Sequence, residues 1–166
     1  MIDLNTKIKQ LLVEYGKDIL VHPNMQKEKE LIQHFNVNCY EHSLAVAYLS
    51  VSLAYKFNVE VDMRSLIRGA LLHDYFLYDW HEKDESHKLH GFSHAMTALK
   101  NASKDFELNE IEEDIIKKHM FPLNIALPRY KESVLVTMAD KICAAYEVSR
   151  NLSYIKEIRD LEVVYA

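Results

Sequence analysis

Four histidines and two aspartates in this chain stand where helix-forming stretches turn their apolar sides inward: His42, His73, Asp74, His94, His119 and Asp140. The centre of the set is Leu71-Leu72-His73-Asp74-Tyr75, which closes the apolar run from Ser65 to Leu72. Ile67, Ala70, Leu71 and Asp74 follow the i, i+3, i+4, i+7 spacing of one buried helical face. The aspartate therefore continues a stripe that points into the protein. An ionised carboxylate there is unfavourable by several kcal/mol, in order of magnitude, unless a cation or donor compensates it. Two compensations are open: a buried Asp–His ion pair, or a metal ion, which a carboxylate and an imidazole together suit.

The other members extend the choice. His42 precedes Ala45, Val46 and Leu49 at i+3, i+4 and i+7, and His94 precedes the small Ala98 at i+4. His119 follows Ile111 and Ile115 at four-residue intervals, while Asp140 shares a face with Val136 and Cys143. Taken singly, each histidine reads as a satisfied core residue or the partner of a buried carboxylate. Jointly, six such groups on the inner faces of five helices point to ligation. Imidazole and carboxylate suit divalent Zn, Fe, Mn, Co or Ni without any thiolate. Six protein ligands exceed what one open catalytic metal uses, and they suit two metals bridged by a shared carboxylate.

The elements that must carry these groups are helical. Residues 3 to 20 form an amphipathic helix with Ile8, Leu11, Leu12, Tyr15 and Ile19 on one side. Asn24 caps a second helix reaching about Phe35, and a third runs from about Cys39 to Phe57. Asp62 caps the fourth, which ends at or slightly beyond His73-Asp74. Tyr75 to Gly91 is polar and irregular, a loop or broken helix over the site. A fifth helix covers about Phe92 to Asp105, and Asn109 caps a sixth through Met120. Pro128 opens a long seventh from Arg129 to about Arg150, and a short helix from Ser153 to Val163 closes the chain. The expectation is an all-α, single-domain bundle over residues 1–166.

Bulk properties agree with an ordinary soluble globular domain. The chain has 166 residues, 49% hydrophobic and 27% charged, with only three Gly and three Pro. A formal net charge of -5 leaves no basic footprint for nucleic acid as a bulk partner. Cys39 and Cys143 are too few for a disulfide scaffold and read as reduced structural thiols. Neither a signal peptide nor a membrane span is visible, so a cytoplasmic location is expected.

The order His42, then His73-Asp74, then Asp140, with the strings Glu41-His42-Ser43 and Ala139-Asp140-Lys141, resembles the HD-domain superfamily of metal-dependent phosphohydrolases. The likeness covers roughly residues 38 to 150, leaving the terminal helices as additions. In two-metal branches of that superfamily two further histidines lie between the dyad and the last aspartate, and His94 and His119 fit those places. By that resemblance Asp74 bridges the metals, His42, His73 and Asp140 bind one, and His94 and His119 bind the other. His90 competes with His94 for its place. The resemblance implies an HD-type bundle of about seven or eight helices and hydrolysis of a small phosphate ester or nucleotide by a metal-activated water, with Asp74 at its catalytic centre.

His90, Arg129 and Lys141 are candidate substrate-binding groups, and Arg68 is a further cation that could grip phosphate. For the basic residues a solvated or carboxylate-paired surface charge is the competing reading. The aromatic run Tyr75 to His81 either stacks on a substrate or packs against the domain. Two other functions share the scaffold. A minority of the superfamily uses the same six ligands for a diiron oxygenase, and a non-catalytic nucleotide-binding domain would also keep the fold. Association into a homo-oligomer is compatible with the sequence.

Overall fold

The computed structural model describes residues 3–34, 36–78 and 90–149, with the backbone alone for residues 90–92. Helix α1 spans Leu4–Leu20, opened by Asp3, whose side chain accepts from the Thr6 backbone amide. The second helix is much shorter than expected. His22 caps it and Pro23 occupies its first turn, so α2 is Pro23–Lys27, followed by a 3-10 turn at Glu28–Glu30. The chain then becomes extended: β1 (Ile32–His34) pairs antiparallel with β2 (Val37–Asn38). The reason lies in the burial pattern. Ile32 is half exposed while Gln33 and Val37 turn inward, a period-two alternation that helical geometry does not allow. Pairing with β2 and the Cys39 backbone N–H donating to Leu31 O at 2.8 Å complete this small hairpin.

Helix α3 (Cys39–Lys56) is the central element. Asn38 and Glu41 form a reciprocal capping box at its start, and Asn58, at φ 51°, turns the chain in the left-handed region beyond its end. It packs against both α4 (Met63–Leu72) and α7 (Lys131–Val148) and is buried along most of its length. Helix α5 (His90–Asp105) packs against α6 (Glu110–Lys118), which also contacts α4 and α7. Asp62 caps α4 and Asn109 caps α6, both as expected, the latter with Glu112 closing a second capping box. The seventh helix begins at Lys131, two residues later than Arg129.

Two glycines let helices approach. A Cβ on Gly16 of α1 would lie 2.6 Å from Leu71 Cδ1, and one on Gly69 of α4 would overlap Ile115 Cδ1 of α6. Helix α4, with the His-Asp dyad at its end, is thus clamped from two sides. Among the described residues there are seven α-helices and one minimal hairpin, an all-α architecture. None of these helices is long and apolar enough to cross a membrane. Of the expected loop from Tyr75 to Gly91, residues 79–89 lie outside the described residues, while His90 and Gly91 already belong to α5; the helix from Ser153 to Val163 also lies outside the described residues.

Candidate metal centre

The dyad leaves α4 at its C-terminus, where the last carbonyls of a helix have no intrahelical partner. His73 is the C-cap, and its Nδ1 lies 2.7 Å from Ala70 O. His119 repeats the arrangement at the end of α6, with Nδ1 2.8 Å from Ile116 O. A carbonyl only accepts, so each ring donates from Nδ1 and turns its Nε2 into the interior. His42, from the first turns of α3, is held similarly: Nδ1 lies 3.0 Å from both carboxylate oxygens of Glu147 on α7.

These Nε2 atoms converge on two aspartates. Asp140 Oδ1 is 3.2 Å from His42 and 3.6 Å from His73. Asp74 divides its oxygens between two groups of imidazoles. Its Oδ2 lies 3.4 Å from His73 Nε2 and 3.8 Å from His42 Nε2. Its Oδ1 lies 3.2 Å from His94 Nε2 and 3.3 Å from His119 Nε2. Two clusters able to hold a cation result, His42–His73–Asp74–Asp140 and Asp74–His94–His119, with donor atoms in each within 4.8 Å of one another and every residue buried. All six residues singled out in the sequence are therefore neighbours, drawn from α3, α4, α5, α6 and α7.

The charges are strongly coupled to this surrounding. Burial alone would raise the Asp74 carboxyl, but His73, His119 and His94 outweigh it and hold it well below the usual carboxylate range. Asp140 is likewise depressed, its burial offset by His42 and His73. His42 shows the reverse balance: burial favours the neutral ring, yet Glu147 and Asp140 raise it well above an ordinary histidine. Burial lowers His119 and so favours its neutral, ligating form.

Other candidates sit differently. Lys141 donates to His119 O at 2.9 Å and reaches within 3.8 Å of Asp140 Oδ2, at the rim. Arg129 is exposed and lays its guanidinium over Tyr130, whereas Arg68 is buried in ion pairs with Glu112 and Asp18. His90 opens α5, but its side chain lies outside the described residues. Tyr75 and Phe76 pack into the body, where Asn101 of α5 donates to both of their carbonyls.

Three participants had not been anticipated. Glu147 is one; it follows Asp140 by seven residues on the same helical face, a spacing visible in the sequence. The hairpin supplies the others, Gln33, whose amide donates to Asp74 Oδ2 at 2.7 Å, and His34, whose ring stands edge-on to His42 at 5.9 Å. Glu28 is also fully buried behind the site, with its carboxyl raised by burial and by Asp74.

A family model for the HD domain matches residues 39–145, more than half of the chain and all six donors. The chain belongs to the HD-domain family. No curated protein and no solved structure matches it. Membership places this HD domain in a superfamily of metal-dependent phosphohydrolases. Its donors suit divalent metal on grounds of their own. His73 Nε2 and Asp74 Oδ1 are buried with no hydrogen-bond partner, although nitrogens and oxygens crowd within 3.2–3.6 Å. With His94 Nε2 and His119 Nε2 only 2.9 Å apart and His73 Nε2 unpartnered, more nitrogen lone pairs converge here than protons can satisfy, which is what a cation requires.

Proposed function

We propose that this HD domain is a phosphohydrolase acting on a small phosphate ester through a two-cation centre. His42, His73 and Asp140 would hold one cation, His94 and His119 the other, and Asp74 would be shared. The observation that carries the reading is the division of Asp74, with Oδ2 facing His42 and His73 and Oδ1 facing His94 and His119. Bound divalent cations would supply Lewis acidity, a water of lowered pKa and neutralisation of phosphoryl charge.

The chain's own contribution is orientation and exclusion of bulk water. Carbonyls at Ala70 and Ile116 fix two ring tautomers, and Glu147 fixes a third. Buried walls keep the dielectric low, so charges placed here act at greater strength than in water. Asp140 and Lys141 are the more exposed edge, with side chains 12% and 42% accessible, and mark where a phosphate would enter. Among the described residues Lys141 is the cation there.

The test is metal content of untagged protein purified without chelator, followed by phosphate release from small phosphate esters. About two equivalents of Mn, Fe, Co, Ni or Zn, with metal-dependent phosphate release, is the expected result. Asp74→Ala should stay folded and lose activity by at least about a thousandfold, since several kcal/mol of charge stabilisation disappear with the shared ligand. Near-full activity with normal metal content in that variant refutes the proposal. Iron-dependent oxygen consumption without phosphate release would replace it by an oxygenase.

A further inference from the structure

The hairpin lies outside the segment that matches the family, yet one of its side chains reaches the centre of the site. Gln33 is 6% exposed, and its Nε2 donates to Asp74 Oδ2 at 2.7 Å. The other end of the amide is also occupied: Gln33 Oε1 accepts from the Cys39 thiol at 3.3 Å. A thiol is the donor in that pair, so the amide is oriented with its N–H groups toward the carboxylate. Backbone pairing sets the reach. Ile32 and His34 are in register with Asn38 and Val37, which fixes Gln33 between them on the inward side of β1.

We propose that Gln33 is a positioning residue that locks Asp74 in its shared orientation, an inference that rests on the two-cation reading above. The Asp74 carboxylate turns about a bond whose torsional profile is broad and roughly two-fold, so the side chain alone does not choose an orientation. Gln33 takes one lone pair of Oδ2 and leaves the other facing His42 and His73. Oδ1 is thereby presented to His94 and His119, at 3.2 and 3.3 Å from their Nε2 atoms. Released from Gln33, the carboxylate can swing both oxygens toward the His42–His73–Asp140 group. That group has a second carboxylate, whereas among the described residues Asp74 is the one carboxylate of the other. The loss therefore falls on the cation held by His94 and His119.

Gln33→Met keeps the length and shape of the side chain and removes the donor. Chelator-stripped full-length protein is titrated with Co(II) alone, reading d–d absorption for stoichiometry and affinity and magnetic susceptibility for coupling between the two ions. Wild type should take two equivalents with spins coupled through the shared carboxylate. In the variant the second equivalent should bind about 10- to 100-fold more weakly, the range seen when an outer partner of a metal ligand is removed, with coupling lost and the first equivalent unchanged. A purely structural role would lower the melting point of the metal-free protein and weaken both equivalents together. That outcome, or an unchanged second equivalent with retained coupling, overturns the inference while leaving the two-cation reading intact. If wild type binds no second Co(II), the two-cation reading fails first and this inference with it. Should Gln33→Met not fold, Cys39→Ala frees the other end of the amide; it must weaken the second equivalent in the same sense, and no change refutes the role.

Discussion

Replacing Glu147 by Gln tests how the chain prepares His42 for ligation. Both Glu147 oxygens lie 3.0 Å from His42 Nδ1, and neither residue is exposed to solvent. Glutamine keeps one acceptor at nearly the same place but removes the charge. Hydrogen bonds to charged groups contribute about 1.5–3 kcal/mol and neutral ones about 0.5–1.5 kcal/mol, so the change should weaken the ligand by about 1–1.5 kcal/mol. Every 1.4 kcal/mol is roughly tenfold in affinity, and a cation held by His42, His73 and Asp140 should bind about tenfold more weakly. Competition against a chromophoric chelator reads this directly.

The metal-free protein supplies an independent measure. His42 is raised well above its usual value, against the effect of burial, by Glu147 and Asp140. Its contribution to stability is full below the unfolded-state value of about 6.5 and is lost as the pH rises through the raised folded value. Without the Glu147 charge part of that contribution disappears, while Asp140 still raises the ring. The melting points of wild type and Glu147→Gln should therefore differ most near about pH 6 and converge as the pH rises. Equal metal affinity together with parallel melting curves at all pH values would refute the role of Glu147.

Further outcomes follow from the same geometry. His94→Ala and His119→Ala should each lower occupancy of one cation more than the other in metal analysis, because both rings face Asp74 Oδ1 and neither belongs to the His42–His73–Asp140 group; equal loss at both sites, or no loss, contradicts the assignment. Gly69→Ala forces a methyl group into Ile115 and should cost about 1–2 kcal/mol after the gain in helix propensity, lowering the melting point by about 2–8 °C. Ile115→Val, which removes the overlapping Cδ1, should restore part of that loss in the double variant.

Much of the site is local in origin and so was readable from the chain. A helical stripe is set by residue spacing, and it placed His42, His94, His119 and Asp140 on inward faces before any contact was known. Caps such as Asp62 and Asn109 are equally local, because one side chain meets a backbone amide two or three residues on. Glu147 was within reach of the same reasoning, seven residues beyond Asp140. The hairpin was not. Leu31 and Ile32 fit a helical stripe, and only pairing with Val37 and Asn38 turned that segment into a strand and Gln33 toward Asp74.

The sequence by itself determined the six longer helices of the described residues, the inward direction of the six donors and, through their order, the family. Tertiary structure decided which oxygen of Asp74 meets which pair of histidines, and that Glu147, Gln33 and His34 stand around them. It also committed Arg68 to Glu112 and Asp18. The physical reason is the range over which each choice is made. Periodicity and capping act within a turn or two of chain, whereas a contact between residues 41 apart, as for Gln33 and Asp74, or 105 apart, as for His42 and Glu147, exists only once the helices have packed.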